Sequence, residues 1–113
     1  NIDMWTKDNL EPRKVLIEKI NSGMDSIVAK IQNDHPSPGL VKAAESLLQE
    51  LKGINETNDE MDEKWKKANG IQCELIRLLY KESMSNPNIE ELYIKPLRRN
   101  IREQLDFEMK FVR

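Results

Sequence analysis

His35 and Cys73 are the single histidine and the single cysteine of this 113-residue chain. Each would need an orienting partner before it could react. His35 lies between Asp34 and Pro36, in a stretch with no converging second group of the kind a general base requires. It reads as an exposed turn histidine. Cys73 sits between Gln72 and Glu74 in a helical pattern, away from any cation or helix start that would stabilise a thiolate. It reads as a small, semi-buried residue. With one histidine and one cysteine, a zinc site would need two carboxylates in addition, and no recognisable spacing supplies them. No calcium-loop pattern occurs.

Carboxylates are plentiful, but the acidic stretch from Glu56 to Glu63 looks like a solvated helix entrance. Glu90 and Glu91 read the same way. Acid/base hydrolysis needs two carboxyl groups held across a cleft, and nothing here predicts one. The four glycines form neither the GxxxxGK[ST] phosphate loop nor the GxGxxG fingerprint. A single histidine also excludes the paired Glu-x-x-His ligands of di-iron bundles. The expectation is a chain that is not an enzyme and uses no cofactor and no metal.

The basic group Lys95, Arg98, Arg99 and Arg102 is the feature best suited to binding. Arg98 and Arg102 are four apart and share a helical face, with Lys95 and Arg99 in a second row. If a helix begins at Pro96, these cations sit in its first turns, where the macrodipole disfavours them. Such a row suits an acidic peptide, a phosphate or a nucleic acid; its bland alternative is a solvated face paired with Glu90, Glu91 or Glu103. Tyr93, Phe107 and Phe111 add aromatic surface nearby; aromatics off a core stripe can mark a partner contact or be covered by the N-terminal arm that carries Ile2, Met4 and Trp5. The overall charge of −2 gives no global drive toward nucleic acid. No aromatic interleaves the arginines to make a stacking platform. A second basic trio, Lys64, Lys66 and Lys67, brackets Trp65, and the stems of Lys64 and Lys67 are expected to cover apolar surface there.

These side chains have to be positioned by helices. Ile17, Ile20, Met24, Ile27 and Ile31 recur at steps of three and four, which lines one face of a helix starting near Pro12 and ending near Asn33. Leu16 and Val28 widen that stripe. Gly23 interrupts it at a cost of about 1 kcal/mol, as a close helix crossing or plain tolerance would allow. Ser37 followed by Pro38 matches a helix start, cap then proline. Leu40, Ala44, Leu47, Leu51 and Ile54 line that second helix, with Gly53 as its left-handed cap. Thr57 to Glu60 has the capping-box form. Met61, Trp65, Ala68, Leu75 and Leu79 follow inward, with Gln72 interrupting them. Asn88 and Glu91 are expected to cap a further helix. Leu97, Ile101, Leu105, Met109 and Val112 line the last one, which breaks or kinks at Pro96.

The stretch Glu63-Lys64-Trp65-Lys66-Lys67, followed by Leu75 and Leu79, resembles the tryptophan-bearing helix of spectrin-type repeats. The resemblance covers that one helix. Pro87 and Pro96 interrupt the long third helix such repeats need, so no property of that family is carried over.

The chain therefore reads as all-α, an antiparallel up-and-down bundle of four to five helices. Residues 1–113 form one domain, read as a piece of a larger protein, and residues 1–10, with Ile2, Met4 and Trp5, form a docking arm or a helical turn. The expected function is a protein-protein interaction module of adaptor or scaffold type, intracellular, in cytoplasm or nucleus. It would bind a partner helix or short acidic peptide through Lys95, Arg98, Arg99, Arg102, Tyr93, Phe107 and Phe111. The alternative is a nucleic-acid-associated factor using the same row. A third reading, a secreted helical factor, would place a glycan on Asn55 of the Asn55-Glu56-Thr57 acceptor pattern. No run is apolar enough to span a membrane, and oligomeric state is not legible.

Overall fold

The computed structural model of the protein describes the backbone of residues 2–111 and the side chains of residues 13–110. Within them the chain is all-helical. The elements are α1 (Ile2–Asp34), α2 (Pro38–Asn55), α3 (Met61–Ser83), a single π-helical turn (Glu90–Ile94) and α4 (Lys95–Phe111). No described helix is long and apolar enough to cross a membrane.

α1 begins at Ile2 and runs through Pro12, ahead of the start expected at the proline. No glycine or proline precedes Pro12, so nothing local stops the helix there. The side chains of Ile2, Met4 and Trp5 lie outside the described residues. Further along, the expected stripe is buried as a set, with Leu16 and Val28 beside it. The helix ends at His35, whose φ of 47° is left-handed and whose N–H donates to Ile31 O.

Ser37 caps α2 as its sequence implies. Its Oγ accepts from the Leu40 N–H at 3.2 Å, with Pro38 opening the helix. Leu40, Ala44, Leu47 and Leu51 are buried and Ile54 is packed against them. Gly53 is not a left-handed cap: no glycine has positive φ, and α2 runs on to Asn55. The capping box at Thr57 does not form either. Thr57 donates its hydroxyl to Ile54 O at 2.8 Å, closing α2 instead of opening α3, and Glu60 takes the cap position without a side-chain bond. Asp62 and Glu63 still occupy the first turn, where the dipole favours them.

The last helical segment is capped by Asn86, not Asn88. Asn86 Oδ1 accepts from the Asn88 N–H at 3.2 Å, and Pro87 follows the cap as Pro38 follows Ser37. That segment is joined from two pieces. The Lys95 N–H reaches five residues back to Glu90 O, widening the helix by a π turn just before Pro96. Pro96 has no N–H for Leu92 O, its α-helical partner. The Lys30 ammonium, coming from α1, donates to that carbonyl at 3.1 Å.

The inward face of α4 departs from the expected one. Leu97 and Gln104 are buried and Ile101 is partly so, whereas Leu105 and Met109 are 53% and 69% exposed. The turn of the helix that faces the core carries Asn100 and Gln104, two polar residues, so hydropathy spacing alone selects the wrong row. Gln104 is tolerated because its amide is satisfied. It donates to Gln72 Oε1 at 2.9 Å and Asn100 Oδ1 at 2.6 Å, while Gln72 donates back to Gln104 Oε1 at 3.1 Å. Gln72 thus belongs to the inward row of α3 instead of merely interrupting it.

Candidate docking groove between α3 and α4

The reciprocal amide pair bridges α3 and α4, which both pack on α1, and beside it the two helices leave an open groove of about 670 Å³. Ile76 and Tyr80 of α3 face Ile101 and Leu105 of α4 across it, and Lys95, Arg98, Arg99 and Arg102 stand along its α4 side with one carboxylate, Glu103, among them. All four cations are exposed. The floor is apolar and the wall is cationic, so the groove offers desolvation and charge together.

Charge is unevenly satisfied along that wall. Lys95 pairs with Glu91, whose hydrogen bond and negative charge raise the ammonium above the ordinary lysine value. Arg98 donates to Tyr80 Oη at 3.3 Å. Among the described residues Arg98, Arg99 and Arg102 form no ion pair. Pairing of the row with Glu90, Glu91 or Glu103 is therefore realised at Lys95 alone. The row does not sit at a helix N-terminus, because the helical path runs through the π turn and Pro96 instead of starting there.

Two aromatics expected in this surface lie elsewhere. Tyr93 is 1% exposed, a core residue whose hydroxyl donates to Asp34 Oδ2 at 2.6 Å, and it drops out of the docking surface. Burial is the main cause of its raised pKa, with the Asp34 carboxylate adding to it. Phe107 is half-buried toward α1, with the Lys19 ammonium 5.8 Å from its ring centroid. The Phe111 side chain lies outside the described residues. The aromatic that does reach the cations is Tyr80, 40% exposed. Its signal in the sequence is the pair Ile76 and Tyr80, four apart and off the Leu75 and Leu79 row.

A second groove, of about 570 Å³, lies between α2 and α3. Leu47, Ile54 and Ile71 line it, and Gly53 and Gly70 open onto free space. Its cation, Lys67, is held by Asp59 at 3.0 Å, which pulls the Asp59 carboxyl below the usual carboxylate range. Glu50 lines it without an ion pair among the described residues, so its unmatched charge is a single carboxylate where the first groove has three guanidinium groups.

Other candidates for chemistry stay apart. His35 is exposed at its turn, and Cys73 is exposed on α3, not semi-buried. No three His, Cys, Asp or Glu residues gather into a metal site among the described residues. The Asn55 amide, the glycan acceptor of the secreted reading, donates to Asn21 Oδ1 at 2.9 Å. Trp65 is half-buried, with the Arg13 guanidinium 5.8 Å from its ring and Lys64 reaching Asn55 O. Compared with known proteins, the chain matches no family model, no curated protein and no solved structure.

Proposed function

We propose that this chain is a non-enzymatic, intracellular interaction module, an antiparallel up-and-down bundle that docks an acidic, amphipathic segment of a partner protein in the α3–α4 groove. The observation that carries the reading is three guanidinium groups without ion pairs among the described residues, standing over an apolar floor. A partner segment with carboxylates beside leucine-like side chains would satisfy both at once. Support for the bundle arrangement comes from α1 and α4. Lys19, Gly23 and Lys30 in ascending order meet Phe107, Asn100 and Leu92 in descending order.

The groove favours a peptide over a nucleic acid because its floor is apolar and a single tyrosine cannot stack successive bases. The test is fluorescence anisotropy with three labelled probes: an acidic amphipathic peptide, its lysine counterpart, and single-stranded DNA. The acidic peptide should bind, and Arg98→Glu with Arg102→Glu should weaken it at least about tenfold, or 1.4 kcal/mol. DNA binding that exceeds peptide binding and collapses with salt would overturn the peptide reading in favour of a nucleic-acid factor.

A further inference from the structure

The charges of α4 are segregated along its length. Lys95, Arg98, Arg99 and Arg102 occupy the first half, while Glu103, Asp106 and Glu108 occupy the second, with Lys110 after them. Among the described residues Glu103, Asp106 and Glu108 form no ion pair either. A helix arranged this way is complementary to itself when turned end for end.

The exposed face adds a matching apolar element. Arg98, Arg102, Leu105 and Met109 follow one another at steps of four, three and four. That is the spacing of a helix-pairing seam, half cationic and half apolar. Leu105 also lines the groove, and so does Glu103. The acidic, amphipathic segment that the groove is suited to is therefore present in the chain itself, in the second half of α4.

We infer that the occupant of the α3–α4 groove is α4 of a second copy of this chain, lying antiparallel across a two-fold axis. Arg98 and Arg102 of one copy meet Asp106 and Glu103 of the other, and the same contacts recur on the far side of the axis. Leu105 of each copy enters the apolar floor beside the opposing arginines, which stack their stems on it. The inference rests on the docking reading above and names its ligand. A contact built on one helix pair and a shallow groove belongs among small, reversible interfaces, so a monomer-dimer equilibrium is expected.

Sedimentation velocity from about 1 to 500 μM tests it on three proteins: wild type, Arg98→Glu/Arg102→Glu, and Glu103→Lys/Asp106→Lys. Wild type should dimerise reversibly and dissociate as salt rises. Each charge-reversed variant should dimerise about a hundredfold more weakly, since like charges then oppose each other at both ends. An equimolar mixture of the two variants should recover dimer, the rescue expected of an interface that joins these two rows. Helical circular dichroism separates a failed interface from a failed fold. A wild type that stays monomeric, or a mixture that recovers nothing, overturns the inference. If that monomer still binds the acidic peptide, the docking reading stands without it; if the peptide is also ignored, both fall.

Discussion

Gln72 and Gln104 each donate a side-chain amide hydrogen to the other's carbonyl, at 3.1 and 2.9 Å, across the α3–α4 contact. They are 2% and 5% exposed. A buried amide is tolerated only when its donors and acceptors are met, so this pair rewards one alignment of the two helices. The groove wall inherits that alignment, because Ile76 and Tyr80 lie one and two turns beyond Gln72. Replacing Gln104 with Leu should cost about 1–3 kcal/mol, the penalty for leaving Gln72 unmet. The double replacement with Leu at both positions should be less destabilising than the sum of the singles. Urea denaturation of the four proteins in this cycle gives the coupling directly.

Gly23 lies where α1 crosses α4. A Cβ there would stand 2.5 Å from Asn100 Oδ1, so Asn100 would have to swing away from Gln104. Ala at 23 gains about 1 kcal/mol of helix propensity and loses a hydrogen bond worth about the same. Gly23→Ala should therefore leave the wild type near its original stability, and should stabilise an Asn100→Ala background by about 1 kcal/mol. Thermal unfolding of the two pairs distinguishes a crossing glycine from a tolerated one.

Lys30 is the external donor to the carbonyl that Pro96 cannot serve. Lys30→Met should cost about 0.5 kcal/mol, since the carbonyl is exposed enough for water to replace the ammonium. In a Pro96→Ala background, where residue 96 recovers its N–H, the same substitution should cost nothing. Chemical denaturation of both pairs checks this.

Tyr93 sets an alkaline limit. Its folded pKa lies above the ordinary value of 10.0 because the hydroxyl is buried and faces the Asp34 carboxylate. The unfolded chain releases this proton first as pH rises, so the contribution is complete below about pH 10 and falls above it. The slope approaches 1.4 kcal/mol per pH unit. Tyr93→Phe should lose the bond to Asp34 at neutral pH yet show a shallower decline between pH 10 and 11. Stability measured against pH for the two proteins gives the difference.

Much of the fold is legible in the sequence where hydropathy and spacing agree. The isoleucine stripe of α1, the Ser37-Pro38 start and the leucine row of α2 are read directly, because each depends on residues near one another in the chain. The reading fails where a distant partner decides. Gln72 looks like an interruption of the α3 stripe until it meets Gln104, and α4 turns Asn100 and Gln104 inward, which leaves Leu105 and Met109 exposed. Tyr93 looks like spare aromatic surface until Asp34 satisfies its hydroxyl in the core. Thr57 serves the wrong helix end for a capping box: its hydroxyl donates to Ile54 O and accepts from the Asp59 N–H, which precedes α3. Of the candidate surface, the cationic row was legible as a helical face, whereas Ile76 and Tyr80, which complete the groove, come from another helix.

The α3–α4 groove is a docking site only if an acidic, amphipathic segment lands there. Amide chemical shifts of the isotope-labelled protein, held at low concentration and titrated with the acidic peptide, answer this residue by residue. The account predicts that the largest changes fall between residues 76 and 80 and between residues 98 and 105, and vanish in Arg98→Glu/Arg102→Glu. Changes centred on Leu47, Gly53 and Gly70 in the groove between α2 and α3, with none along the arginine row, would contradict it.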